Sequence, residues 1–251
     1  MTPAEAAARA LPLLDLTSLE AEDDATKIEA LCRRAATPAG PVAAVCIYAP
    51  FVPLARRLLA PGIRLATVAN FPAGSGAPSA IAEEIRLAKE AGADEIDVVF
   101  PYTAFAAGDR RIAQDLLAAA REASAGCTLK VILESGRLEP GQLREAARLA
   151  IAAGADFLKS STGKLQPAAT MESARLLLEA AAASARPVGV KLAGGIRSTD
   201  QAAAYLALAD EIMGPRWAAP ATFRFGASAL LDDLLAALGH RPVAMPSGNR
   251  Y

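Results

Sequence analysis

Two stretches, "KEAGADEIDVV" at 89–99 and "IAAGADFLKSS" at 151–161, repeat one another closely across a helix-to-strand junction. In each, alanine-rich residues with charges at helical spacing lead to a glycine, Gly92 or Gly154, suited to the left-handed turn that ends a helix, and a strand-like apolar run follows at once. Repetition of such a unit favours parallel strands joined by helical crossovers. Apolar runs of this kind lie at 12–16, 41–48, 63–70, 94–100, 128–135, 156–161, 187–193 and 222–228, each followed by a helix-like stretch. That is the count and order of a single (β/α)8 barrel of the α/β class, and 251 residues is an ordinary length for one. An open doubly wound sheet is the alternative, but the glycine-rich dinucleotide fingerprint after the first strand is missing. The expected domain spans 1–240, and "RPVAMPSGNRY" at 241–251, aperiodic and rich in Pro, Ser and Gly, reads as a flexible tail.

Counting from the paired glycines puts Asp97 and Lys159 at the same offset in their units, on strands four and six. Strands of equal parity contribute to one inward layer of a barrel, so the two side chains are expected to face each other near its C-terminal mouth. The period-two alternation agrees, since Phe157, Lys159 and Ser161 share a face. In "VGVKLAGG" of strand seven, Val188, Val190 and Leu192 pack outward and leave Lys191 inward. One strand lysine would be an ordinary charge reaching for water, but two lysines and a carboxylate at one barrel end are costly without a purpose.

A lysine amine attacks a carbonyl only when neutral, and its ordinary pKa of about 10.4 keeps it protonated at pH 7. A second ammonium nearby disfavours the charged form, so Lys191 beside Lys159 is a means of activating Lys159 for Schiff-base chemistry. Asp97 can then move protons, directly or through a water.

Other chemistries have little to work with. The single histidine, His240, makes a histidine metal cage or a Ser-His-Asp relay improbable on residue count, and Cys32, Cys46 and Cys127 share no CxxC or metal-ligand spacing. Neither a metal nor another cofactor is expected. A net charge of −1 provides no footprint for nucleic acid or an anionic membrane, and the longest apolar stretch, 41–55, is broken by prolines and too short to span a bilayer. Small-molecule substrates are the expected partners. The opening residues carry acids early and no basic-then-apolar leader, which sets the expectation of a cytoplasmic protein.

The loops after strands six to eight suggest an anion site. "STGK" supplies Gly163 and Lys164, "LAGGIRSTDQ" supplies Gly194 and Gly195 before a helix capped by Ser198 or Thr199, and "FGASALLDD" supplies Gly226 and Ser228 at another helix start. Barrels commonly bind phosphate at these loops. Asp15, Thr17 and Cys46 end strands one and two and are candidates for the pocket wall, although capping and packing would explain Asp15 and Cys46 equally well. Glu134 ends strand five and either pairs with a lysine or acts on substrate; Lys130, lower in that strand, reads as a structural charge. Asn70 and Phe71 could shape an aldehyde pocket or simply form a turn.

The segments "DLT" 15–17, "CIY" 46–48, "NFP" 70–72, "ADEIDVVFPY" 93–102, "KVILESG" 130–136, "ADFLKSSTGK" 155–164, "GVKLAGGIR" 189–197 and "RFGAS" 224–228 closely resemble the deoxyribose-phosphate aldolases over essentially the whole chain. The resemblance implies reversible cleavage of 2-deoxy-D-ribose 5-phosphate to D-glyceraldehyde 3-phosphate and acetaldehyde, in deoxyribonucleoside catabolism, through an iminium on Lys159. It implies proton-transfer roles for Asp97 and Lys191, and pocket contacts for Asp15, Thr17 and Cys46. Relatives also use a C-terminal tyrosine to move the enamine proton, which would be Tyr251. Leu192 and Ala229 depart from the pattern, standing where a proline or small residue and a second hydroxyl are more usual. A homo-oligomer, with a dimer favoured, is the expected assembly. The competing readings are another Schiff-base phosphosugar aldolase or transaldolase, and a non-catalytic phosphosugar-binding barrel.

Overall fold

The computed structural model describes residues 1–240, so the tail at 241–251, including Tyr251, lies outside the described residues. Eight parallel strands close into a barrel: β1 (Leu14–Thr17), β2 (Ala44–Ile47), β3 (Arg64–Ala69), β4 (Glu95–Val99), β5 (Thr128–Ile132), β6 (Phe157–Lys159), β7 (Gly189–Ala193) and β8 (Phe223–Ala227). Neighbours pair in sequence order, and β8 closes on β1 through Leu14 opposite Phe225 and Asp15 opposite Gly226. This is the expected (β/α)8 barrel. The strands are shorter than the apolar runs that announced them. In 156–161 only three residues stay in strand; past Lys159, the hydroxyls of Ser160 and Ser161 both donate to the Ala193 carbonyl, and the chain turns into the mouth loop.

A two-rung antiparallel ladder, Ala36–Thr37 with Gly40–Pro41, was not anticipated. Two residues a side are too few to show a period; Pro38 and Ala39 make the turn, and Gly40 at φ 115° begins the returning rung.

Helices begin where the chain offers an oxygen to the orphan first-turn amides. Asp24, Asp109, Thr170 and Ser198 each accept from the amide three residues on, opening α-helices Ala25–Ala35, Arg110–Ala123, Met171–Ala182 and Thr199–Met213. Pro3, Pro78 and Pro140 open three others at the position where a missing N–H does no harm. In the helix Arg110–Ala123, the buried residues Ala113, Leu116, Leu117 and Ala120 recur at helical spacing against the barrel, each leucine worth about 1.5–3 kcal/mol of burial. Gly92 and Gly154 follow their helices at φ 107° and 93°, as the repeat required.

Alternation sorts the strands into two cores. Val98, Leu129, Val131, Leu158, Val190, Leu192, Phe223 and Phe225 point outward into the layer shared with the helices. Inside, Leu19, Cys46, Ala66 and Val68 form a small separate apolar cluster on one side of the lumen. The opposite side holds charged residues, and that is where the site is built.

Phe157 fills the lower lumen only because β7 begins with a glycine: a Cβ on Gly189 would fall 2.3 Å from the Phe157 ring. Gly189→Ala is therefore expected to destabilise the protein by about 1–3 kcal/mol in urea denaturation, through overpacking. A stability equal to the parent would show that the ring moves aside freely.

Candidate active site

Six charged side chains inside the barrel form a closed ring in which the signs alternate. Arg224 on β8 contacts Asp15 Oδ1 on β1 at 2.5 Å; Asp15 Oδ2 contacts Lys191 Nζ on β7 at 2.6 Å; Lys191 Nζ reaches Asp97 Oδ2 on β4 at 2.8 Å. Asp97 Oδ1 contacts Lys130 Nζ on β5 at 2.9 Å; Lys130 Nζ contacts Glu95 Oε2 on β4 at 2.5 Å; Glu95 Oε1 returns to Arg224 Nη2 at 3.0 Å. A chord from Lys130 to Asp15 Oδ2, 3.2 Å, crosses the ring. Every member is buried. Burial alone would drive Asp15, Asp97, Lys130, Lys191 and Arg224 toward neutrality, but their partners outweigh it. Asp15 and Asp97 are held below the ordinary carboxylate range by the surrounding cations, and Lys130, Lys191 and Arg224 are held above their ordinary values by the carboxylates.

Lys159 is a seventh member that, among the described residues, has no carboxylate to itself. Its Nζ lies 2.7 Å from Asp97 Oδ2, the oxygen that Lys191 already uses. Three carboxylates and three cations balance without it, so a proton on Lys159 leaves a net positive charge in the lumen. Its pKa is lowered from the ordinary value, first by burial and then by the charge of Lys191, against the pull of Asp97. The offset count thus placed Asp97 and Lys159 in contact as expected, and Lys191 does disfavour the ammonium, though desolvation is the larger effect. Lys191 itself, held as a cation by two carboxylates, acts here as a fixed charge.

Above the ring opens a cavity of about 390 Å³. Lys159 reaches it, and Thr17, Gly163, Lys164, Gly194, Gly195, Gly226 and Ser228 line it as expected. Asp15 and Cys46 do not stand on its wall. Asp15 is consumed by three cations one layer down, and Cys46 packs in the inner apolar cluster with its thiol pKa raised by burial. The stagger of the barrel explains this: Thr17, two residues beyond Asp15, is the β1 residue that reaches the mouth. Gly226 serves a further purpose, since a Cβ there would lie 2.9 Å from Lys191 Cε and close the space through which that side chain crosses the lumen.

Glu134 pairs with no lysine. It adopts φ 48° and ψ 57°, and its Oε2 accepts from the Thr162 amide at 3.1 Å, pinning the β6 loop. Asn70, at φ 57°, likewise supports its own turn, its amide nitrogen donating to the Val99 carbonyl and its Oδ1 accepting from the Gly76 amide. Ser198 is the helix cap and Thr199 is not; the Thr199 amide and hydroxyl both donate to Asp233, so the first turn of the helix Thr199–Met213 is already engaged.

Several members were not singled out from sequence. Lys130, read as a structural charge, touches Asp97 itself. Glu95 and Arg224 were passed over, as were Glu20 and Arg197 on the cavity wall. The available signal was the alternation within "DEIDVVF", "TLKVI" and "TFRFGAS", where charges stand two apart or between apolar residues on the inward face.

A family model described as DeoC/LacD family aldolase matches residues 9–236. Among solved structures, a Toxoplasma gondii protein provisionally named a deoxyribose-phosphate aldolase superposes with a TM-score of 0.88 at 26% identity, over 94% of this chain and 97% of that one. A deoxyribose phosphate aldolase from Aeropyrum pernix, described as a tetramer, gives 0.73 at 25% identity, over 94% and 92%. An aldolase named QR15 gives 0.80 at 26% identity, over 92% and 96%. No helix among the described residues is long and apolar enough to cross a membrane.

Because the folded-state pKa of Lys159 lies below its unfolded value, the unfolded chain binds a proton at neutral pH more readily than the folded one, and the residue opposes folding there. Lys159→Met is expected to raise stability at pH 7, with the gain shrinking as pH rises toward the free-lysine value of about 10.4. Lys191→Met removes a paired charge and is expected to cost about 3–5 kcal/mol at pH 7. Denaturant titrations at several pH values distinguish the two; a destabilised Lys159→Met would contradict the charge balance.

Proposed function

The chain belongs to the DeoC/LacD family of aldolases, and on that premise we propose that it cleaves 2-deoxy-D-ribose 5-phosphate reversibly through a Schiff base on Lys159. The observation that carries this reading is a buried amine that shares its one carboxylate oxygen with Lys191 and opens into a cavity lined by Gly163, Gly194, Gly195, Gly226, Lys164 and Arg197.

In this mechanism, neutral Lys159 adds to the C1 aldehyde of the open-chain sugar, and loss of water gives an iminium. The C3 hydroxyl then loses its proton, the C2–C3 electron pair moves toward the iminium nitrogen, and D-glyceraldehyde 3-phosphate leaves. The remaining enamine is protonated at its terminal carbon, and water returns to release acetaldehyde and the amine. Asp97 is buried behind Lys159, so it serves these transfers through Lys159 or a water in the cavity, with Lys130 first and Lys191 after it keeping it ionised. Tyr251 is the candidate for protonating the enamine. The 5-phosphate is assigned to the loops bearing Gly163, Lys164, Gly194, Gly195, Gly226 and Ser228, with Arg197 at the rim. Deoxyribonucleoside catabolism and a homo-oligomeric assembly, with a dimer favoured, complete the proposal.

A transaldolase of another phosphosugar uses the same amine chemistry, and acetaldehyde release separates the two. Borohydride added during turnover is expected to fix the substrate carbon skeleton on the peptide containing Lys159. Modification on Lys164 or Lys191 instead, or none in an active enzyme, would reject the assignment.

Lys164 Nζ lies 3.0 Å from Glu20 Oε2 across the mouth, so a phosphate must compete with a carboxylate for that cation. Glu20→Gln is expected to lower KM for the phosphorylated substrate by about three- to tenfold, while changing KM for free deoxyribose little. Equal changes on both sugars would place the phosphate elsewhere.

A further inference from the structure

The lower end of the charged ring has no direct part in the reaction. Arg224 and Glu95 lie beneath the substrate cavity and touch neither Lys159 nor its pocket. They border a second cavity, of about 450 Å³, at the opposite end of the barrel, together with Arg64, Asp156 and Phe157. Yet each is tied to the catalytic carboxylate through one carboxylate–lysine or lysine contact: Arg224 through Asp15 and Lys191, and Glu95 through Lys130.

We propose that Arg224 and Glu95 are positioning residues that set the protonation of Lys159 from the far end of the barrel, by completing a ring whose six charges sum to zero. The ring is closed and buried, so its charge is a single quantity shared by all its members and poorly screened by salt. Removing Arg224 leaves three carboxylates against Lys130 and Lys191, and the vacancy for a cation is most readily filled by the spare amine on Asp97. Removing the charge of Glu95 leaves three cations against two carboxylates, and the same amine is driven further toward neutrality.

Among the described residues, the groups facing Lys159 are few. Asp97 and Lys191 are in contact with it or share its acceptor oxygen, Glu134 follows the neighbouring strand β5, Cys46 comes from β2 across the barrel, and Lys130 stands behind Asp97. Glu134 stands outside the ring: its Oε2 accepts from the Thr162 amide, its Oε1 is buried with no hydrogen-bond partner among the described residues, its pKa is raised by burial, and it makes no ion pair with Lys159. Arg64 approaches Glu95 at 3.9 Å, but its side chain is half exposed and counts as solvent-screened. The phenyl ring of Phe157, 5.7 Å from the Arg224 guanidinium carbon, helps hold that cation without changing the count.

The inference rests on Lys159 forming the Schiff base, and the test separates the two ideas. The full-length protein and four variants, Arg224→Met, Arg224→Lys, Glu95→Gln and the double Glu95→Gln/Arg224→Met, are incubated with acetaldehyde and borohydride across pH 5 to 10. Trapping on Lys159 is read by peptide mass. The midpoint of trapping against pH is expected to rise by about one pH unit in Arg224→Met, to fall by about one unit in Glu95→Gln, and to return near the parent value in the double variant and in Arg224→Lys. A merely structural pair would lower yields without moving midpoints in opposite directions. If Arg224→Met does not fold, the sign of the Glu95→Gln shift decides alone. Trapping on Lys159 with unmoved midpoints, or midpoints moving the same way in both single variants, overturns the positioning role only. Absence of trapping on Lys159 in the parent overturns the Schiff-base reading and this inference with it.

Discussion

Asp97 is the residue through which the interior of this barrel is organised. Its two oxygens receive three lysines, one on Oδ1 and two on Oδ2, and each of those lysines comes from a different strand. Burying a carboxylate in an apolar lumen is unfavourable by several kcal/mol unless it is paired, and burying three lysines is worse. The arrangement holds because Asp15 and Glu95 extend the pairing until every charge but one is matched. Lys159 is the exception, and its isolation follows from the arithmetic of the others. What distinguishes Lys159 from Lys130 and Lys191 is therefore the number of carboxylates each one meets, since all three are buried.

The fold supplies this arrangement through alternation and stagger. Glu95 and Asp97 stand two apart on β4, so one strand provides carboxylates to two successive layers, and Asp97 lies opposite Lys130 on β5. Lys159 lies opposite Lys191 on β7, and Lys191 opposite Arg224 on β8. Glycine at 226 lets Lys191 pass, and glycine at 189 lets Phe157 close the lumen below. The side of the lumen lined by β2 and β3 is apolar, with Cys46, Ala66 and Val68, which keeps water and stray charge away from the lysines.

Much of this was legible in the chain itself. The eight alternating units announced the barrel, and the repeated glycine offset brought Asp97 to Lys159, because both features are local and recur at fixed spacing. The lower half of the ring was not legible for the opposite reason. Lys130 and Arg224 occupy strands with no repeated junction to align them, Glu95 lies inside the repeat but its counterpart there is Phe157 and so finds no match, and a single charge in a strand is indistinguishable from one that reaches solvent. Asp15 illustrates the same limit: proximity to the end of β1 suggested the pocket, whereas barrel stagger sets it a layer deeper, where only the closed structure reveals its three partners. The glycines and hydroxyls of the mouth do line one cavity, while Glu20 and Arg197, on exposed positions, carried no pattern at all.

The charge count yields a difference between three lysines that share one lumen, and that difference can be observed directly. Nitrogen-15 labelling of lysine side chains, with the Nζ resonances of Lys130, Lys159 and Lys191 assigned by single substitutions and followed from pH 5 to 11, reports the protonation of each. The expected result is that Lys159 loses its proton below the free-lysine value of about 10.4, while Lys130 and Lys191 remain ammonium ions throughout the range in which the protein stays folded. If Lys159 keeps its proton up to that value, or if Lys191 releases its own first, the ring does not govern the amine and the central claim is wrong.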